Sequence, residues 1–277
     1  MKRFFLILIV IVIFLFVSGY FFIVRKNSAE APAENINIYV QVENSQLQKS
    51  ENEIQDNAEA ELEKNKDKNS LKVLPKSNML AGVPFVLQAP FGNWNDPLFQ
   101  DACEEAAILM ADGWLKGNTY LSDQIQNEIK KIVILEEKML GQDIDTSVKD
   151  TVRVMKEYTG HKKIEVVEGI KIDNLKDEVL SGRMVIVPTD GRKLGNPFYT
   201  SPGPVTHMLV IVGYDAVSGE FITNDSGTKM GKDYRYNEDV LFGAIRDYPT
   251  GNHHLNMFDE KLFSQKVMIV ISENKMI

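Results

Sequence analysis

The chain has 277 residues, 44% of them hydrophobic and 25% charged, an ordinary globular mixture with a formal net charge of −8. The surplus of 39 Asp and Glu over 31 Lys and Arg excludes a general nucleic-acid binder, which needs cations to neutralise phosphates. A single cysteine excludes an intrachain disulfide and any zinc site built from two or four thiolates.

Phe4 to Val24 is a run of 21 residues without a charge, flanked by Lys2-Arg3 and Arg25-Lys26. At a rise of about 1.5 Å per residue it reaches across the roughly 30 Å hydrocarbon core of a bilayer. It is longer than the apolar region of a signal peptide, and charge follows it at once. It therefore reads as an uncleaved single-pass membrane anchor occupying residues 1–26 with its basic flanks. A cleaved signal peptide is the rival, since Ala29-Glu30-Ala31 and Ala31-Pro32-Ala33 both look like cleavage sites. The basic residues and the amino terminus on the N-side favour that end in the cytoplasm, which puts the rest of the chain outside it.

Residues 27–79 read as an acidic, disordered stalk. Between Asn27 and Ser70 ten acidic residues face four lysines, and large apolar side chains are sparse. Such a segment buries too little surface to offset the entropy of ordering. Ile36, Ile38, Val40 and Val42 alternate like a short strand.

Residues 80–277 are long enough for one folded domain. A helix is predicted from Cys103 to Trp114, with Asp101 as its N-cap and Glu104 three residues on as a capping-box variant. Leu121–Leu140 has apolar residues at helical spacing, and Ser147–Tyr158 and Asn174–Leu180 are further helices. Ile164–Val167, Met184–Val187, Met208–Val212, Glu220–Thr223 and Val267–Ile271 read as strands, with Gly219 turning one into the next as an antiparallel pair. Helices come mostly before strands, so the fold class is α+β.

Three places can carry chemistry. Cys103 falls in the first turn of a helix, where free N–H groups and the dipole lower a thiol pKa; the alternative is a small buried hydrophobe. Glu104 and Glu105 oppose a thiolate if they point the same way, although neighbours on a helix face different directions. His207 opens a strand behind the Gly- and Pro-rich loop Gly195–Pro204 and is placed either for a cleft or for an ordinary strand-end hydrogen bond. Asp225 follows Glu220–Thr223 and reaches His207 if the two strands pair; otherwise it initiates a turn. In the loop, Phe198 and Tyr199 either anchor on the core or contact substrate. A nucleophilic thiol needs a base, and the base an orienting group, so the order Cys, His, Asp has the layout of a papain-like peptidase.

Val83-Pro-Phe-Val-Leu-Gln88, Asp101-Ala-Cys-Glu-Glu-Ala-Ala107, Leu180-Ser-Gly-Arg-Met-Val-Ile-Val187, His207-Met-Leu-Val-Ile-Val-Gly-Tyr-Asp215 and Asn224-Asp225 together resemble the peptidase C39-like family. The resemblance implies a papain-like cysteine peptidase fold, with the cysteine on a helical part and His and Asp on an antiparallel sheet. It also implies Cys103 as nucleophile, His207 as general base, Asp225 as orienting acid, and Gln88, with the Cys103 backbone N–H, as oxyanion stabiliser. Gln100 is the rival for that last role. Two departures are Glu104-Glu105, where family members often have a small residue, and Asp225-Ser226 in place of Asp-Pro. The implied function is a membrane-anchored, extracytoplasmic cysteine peptidase-like hydrolase acting on peptides or proteins, without metal or cofactor. Its rivals are a non-catalytic tethered binding domain of the same fold and a cell-wall amidase or acyltransferase using the same triad.

Overall fold

A computed structural model describes residues 75–142, 144–251 and 264–273. The expected anchor, nearly all of the acidic segment and the strand-like Ile36–Val42 lie outside the described residues. Among the described residues no helix is long and apolar enough to cross a membrane.

The strands are β1 (Ser77–Met79), β2 (Ile164–Glu168), β3 (Met184–Thr189), β4 (His207–Asp215), β5 (Glu220–Asn224), β6 (Tyr234–Asn237) and β7 (Val267–Ile271). They form one antiparallel sheet in the order β2-β7-β3-β4-β5-β6, with β1 also paired to β4. The helices are α1 (Pro97–Gln100), α2 (Cys103–Lys116), α3 (Ser122–Leu140), α4 (Val148–Thr159), α5 (Ile172–Leu180), α6 (Gly191–Leu194) and α7 (Glu238–Ala244). The mixture of helices and an antiparallel sheet is the expected α+β class.

The central strands β3, β4 and β7 are buried at every residue but Asp215 and are mostly apolar, as strands covered on both faces of a sheet are. Successive side chains of a strand point to opposite faces. Met184, Ile186, Met208, Val210 and Val212 accordingly join the apolar cluster that includes α2, α3 and α4, whereas Val185, Val187, Leu209 and Ile211 join a second cluster with α5 and α7. Helix α2 lies in the first cluster, and every residue from Cys103 to Trp114 is buried.

Three expectations change. First, β1 lies within the segment read as stalk, yet Ser77, Asn78 and Met79 pair with Asp215, Tyr214 and Gly213; the folded part thus begins before Leu80. Gly213 lets β1 approach, since an added Cβ would stand 2.8 Å from the Asn78 carbonyl oxygen. Second, Asp101 does not cap α2: it closes α1, and the N-cap of α2 is Ala102, which has no capping side chain. Third, Glu104 completes no capping box; its carboxylate turns inward.

Candidate active site

Strands β4 and β5 bring His207 and Asp225 together. Their register sets Val210 opposite Asn224, so the residue after β5 returns beside the start of β4. There Asp225 Oδ1 lies 2.8 Å from His207 Nε2, and both residues are buried. The hydrogen bond on Nε2 leaves Nδ1 as the ring nitrogen available to a thiol. Gly227 leaves room for the ring, because a Cβ there would stand 3.0 Å from His207 Cε1.

Asp225 is held by more groups than the sequence points to. Oδ1 also accepts from the Gly227 backbone N–H at 3.0 Å. Oδ2 accepts from Tyr199 Oη at 2.6 Å, Tyr236 Oη at 2.7 Å and Asn196 Nδ2 at 3.1 Å. Burial pushes the carboxyl up, but the imidazole and the two phenols outweigh it and hold Asp225 below the usual carboxylate range. Tyr199 also stands edge-on to the His207 ring, with centroids 5.6 Å apart. Its side chain packs on the second apolar cluster, as the core-anchoring reading expects, and also buttresses the imidazole. Phe198 is half exposed and packs edge-on against Tyr234. Asn196 and Tyr236 were not singled out from the sequence. The one local signal is the Tyr-x-Tyr alternation of β6, which sends Tyr234 and Tyr236 to the same face.

Cys103 is the first residue of α2 and is buried against β4, where the Met208 backbone N–H is directed at its sulfur. Sγ donates to Glu104 Oε2 at 2.9 Å. Burial pushes the thiol well above its ordinary range, and the Glu104 and Asp145 carboxylates push it further. The expected lowering by the helix N-terminus is thus reversed. Adjacent helical residues do face different ways, but the Glu104 side chain is long enough to fold back to the sulfur.

Glu104 is itself buried, and its Oε1 accepts from Tyr248 Oη at 2.7 Å and the Thr146 backbone N–H at 3.2 Å. Glu105 meets Glu136 of α3; burial first and that neighbour second push it well above the carboxylate range. Asp145, on the loop between α3 and α4, accepts from Thr206 Oγ1 at 2.9 Å, and burial with the Glu104 charge pushes it up to about 8.

Cys103 and His207 line one cavity of about 760 Å³, together with Gln88, Gln100, Asp145 and Phe198 among others. Asp225 lies behind the imidazole. Loop Gly195–Pro204 borders the cavity through Phe198, Tyr199, Thr200, Gly203 and Pro204. Gln88 donates through Nε2 to the carbonyls of Phe99 at 3.1 Å and Gln100 at 2.9 Å, and its Oε1 accepts from Ser226 Oγ at 3.2 Å. It bridges the segment before Cys103 and the turn after Asp225. Gln100 donates to the Trp94 carbonyl at 2.8 Å.

A family model described as Peptidase_C39 like family matches residues 81–248, which span Gln88, Cys103, His207 and Asp225. Among solved structures the chain is similar to one described as a C39-like peptidase from Bacillus anthracis, at 16% identity and a TM-score of 0.44, covering 71% of this chain and 98% of that one. It is also similar to xylellain, a cysteine protease from Xylella fastidiosa, at 15% identity and a TM-score of 0.43, covering 73% of this chain and 87% of that one. None of the curated proteins matches the sequence.

Proposed function

Since the chain belongs to the Peptidase_C39 like family, which supports a peptidase-like activity, we propose that it is a membrane-anchored, extracytoplasmic cysteine hydrolase cleaving peptide or amide bonds by a Cys103–His207–Asp225 mechanism. The observation that carries this reading is the shared cavity wall of Cys103 and His207, with Asp225 hydrogen-bonded behind the imidazole.

Cys103 Sγ attacks the acyl carbon while its proton passes to His207 Nδ1. His207 returns that proton to the leaving amine, and water releases the acyl-enzyme. Asp225 fixes the tautomer and supports the imidazolium. The oxyanion falls to the Cys103 backbone N–H, which has no acceptor within its own helix, and to Gln88. For that role Gln88 turns one Nε2 hydrogen from the Gln100 carbonyl to the developing charge, exchanging a neutral hydrogen bond for a charge-assisted one about twice as strong. Substrates are peptides or proteins that the 760 Å³ cavity admits, and the N-terminal run Phe4–Val24 tethers the domain to the membrane.

Incubating the full-length chain with a peptide library, beside Cys103→Ala, tests the reading. Cleavage by the wild type alone is expected; cleavage by both chains or by neither refutes it. A second reading, a tethered binding domain, draws on the Cys103–Glu104 hydrogen bond, which opposes a ready thiolate. Retention of peptides without turnover decides for it.

A further inference from the structure

We propose that Glu104 is a positioning residue that keeps the Cys103 thiol protonated in the resting site, so that the proton leaves sulfur only when His207 takes it during attack. The inference deepens the hydrolase reading and rests on its assignment of the nucleophile.

The geometry is that of a thiol proton with an assigned acceptor. Sγ–H donates to Glu104 Oε2 at 2.9 Å, with both side chains buried. The carboxylate is fixed at its other oxygen by Tyr248 Oη from the segment after α7 and by the Thr146 N–H from the loop before α4. Burial pushes the Glu104 carboxyl above its ordinary range, and the bonds to Cys103 and Tyr248, with its own backbone N–H at the α2 N-terminus, counter part of that. The feature that stabilises an anion at a helix start thus serves Glu104 as well as sulfur.

The titratable groups around this pair are mostly acidic. Glu105 follows on α2 and is coupled to Glu136 of α3; Asp145 faces Cys103 and Glu104 from the α3–α4 loop, with Asp101 beside it; Tyr248 stands on Glu104. From β4 come the imidazole of His207, which shares the cavity wall, and the Met208 N–H, which favours thiolate. A second negative charge on sulfur beside Glu104, in a buried site, is opposed both by desolvation and by like charge.

The resting nucleophile is therefore a neutral thiol bonded to Glu104 rather than the thiolate of a formed ion pair. During attack the S–H bond breaks, its proton goes to His207 Nδ1, the sulfur electron pair forms the S–C bond, and the carbonyl π pair becomes the oxyanion. The oxyanion pair then re-forms the carbonyl, the C–N bond breaks, and the imidazolium delivers the same proton to the leaving amine.

The chain holds one cysteine, so alkylation by iodoacetamide and the ultraviolet absorbance of the thiolate both report on Cys103 alone. In the full-length wild type the alkylation midpoint should lie above that of free cysteine, about 8.5. Glu104→Gln keeps the shape and the acceptor for Tyr248 but removes the charge. It should lower the midpoint by at least about one unit and raise the neutral-pH rate about three- to tenfold, part of the gain in thiolate being offset by lower nucleophilicity. Asp145→Asn should move it the same way by less. In denaturant all three chains should converge on free cysteine. A wild-type midpoint below neutrality overturns the proposal, as does an unmoved midpoint in folded Glu104→Gln. If that variant does not fold, the wild-type midpoint and Asp145→Asn decide. No substrate enters the measurement: shifted midpoints without peptide turnover would sink the hydrolase reading alone, and turnover without the shifts would sink only the role of Glu104.

Discussion

On the two sides of His207 the surroundings are opposite in design. Asp225 is a buried carboxylate with five hydrogen-bond donors from β4, β6, the Gly195–Pro204 loop and its own turn. Cys103 is a buried thiol whose nearest acidic neighbours are Glu104 and Asp145. The first environment favours the anion, and the second opposes one. Placement at a helix start or a strand mouth is therefore not enough to fix ionisation; the partners that long-range packing supplies decide it.

Removing the chemistry on either side should have the largest effect. Cys103→Ala and His207→Ala should each abolish peptide turnover, a loss of at least about 10³-fold, while circular dichroism shows the fold retained. Asp225→Asn should cost less than either, up to about 10⁴-fold if those losses are larger still, because it acts through the tautomer and orientation of the ring. Full activity in Cys103→Ala would remove the comparison altogether.

The next effect concerns shape on the well-bonded side. Gly227→Ala places a Cβ 3.0 Å from His207 Cε1 and 3.2 Å from the Tyr199 ring. Such contacts displace a buried ring, and kcat should fall about tenfold with KM little changed. An unchanged kcat would show that the imidazole tolerates another seat.

Redundancy makes the single-donor change smaller. Tyr199→Phe removes one of three donors from Asp225 Oδ2, leaving Tyr236 and Asn196. A fall in kcat of about three- to tenfold is expected. The lower limb of the pH–rate profile should move upward in pH as Asp225 loses support for its charge. A fall in stability with an unmoved profile would make Tyr199 a packing residue only.

The smallest effect lies behind the thiol and bears on stability alone. Glu105 is pushed well above the usual carboxylate range, so the folded state holds its proton to higher pH than the unfolded chain does. Its stabilising contribution is complete below the ordinary carboxylate range and is lost as pH rises through the folded value. Glu105→Gln should therefore melt higher than the wild type at alkaline pH, by a few degrees for about 1 kcal/mol. At acid pH the difference should vanish. Equal melting curves at all pH values would show that Glu105 is already ionised.

Local pattern carried part of this site. The Gly219 turn between two apolar runs foretold the β4–β5 pairing, and that pairing is what brings Asp225 to His207. Cys103 at a helix start was legible because the residues after it are helix formers without Gly or Pro for nine positions. The groups that hold Glu104 against the thiol were not legible, because each arrives from far along the chain. Tyr248 lies 144 residues from Glu104, and Thr146 lies 42 away. Asp101 satisfied the compositional rule for an N-cap, but α1 ends on it. Tyr199 sat in a loop whose composition speaks of turns, and composition is silent on where a phenol points. β1 was hidden because a three-residue strand lacks the length to show alternation.

Helix α2 has a consequence for how this sequence can drift. An ordinary surface helix lets about half its positions vary, and a mutational scan across it shows tolerance rising and falling every three to four residues. From Cys103 to Trp114 no outward position exists. Even Gly113 is fixed, because a methyl group there would stand 2.5 Å from the Pro84 ring. A saturation scan should therefore find an unbroken block intolerant of any change in size, in which Glu104 and Glu105 accept glutamine and little else. Divergence among descendants of this chain would accumulate around that block and leave it as the segment by which they are recognised.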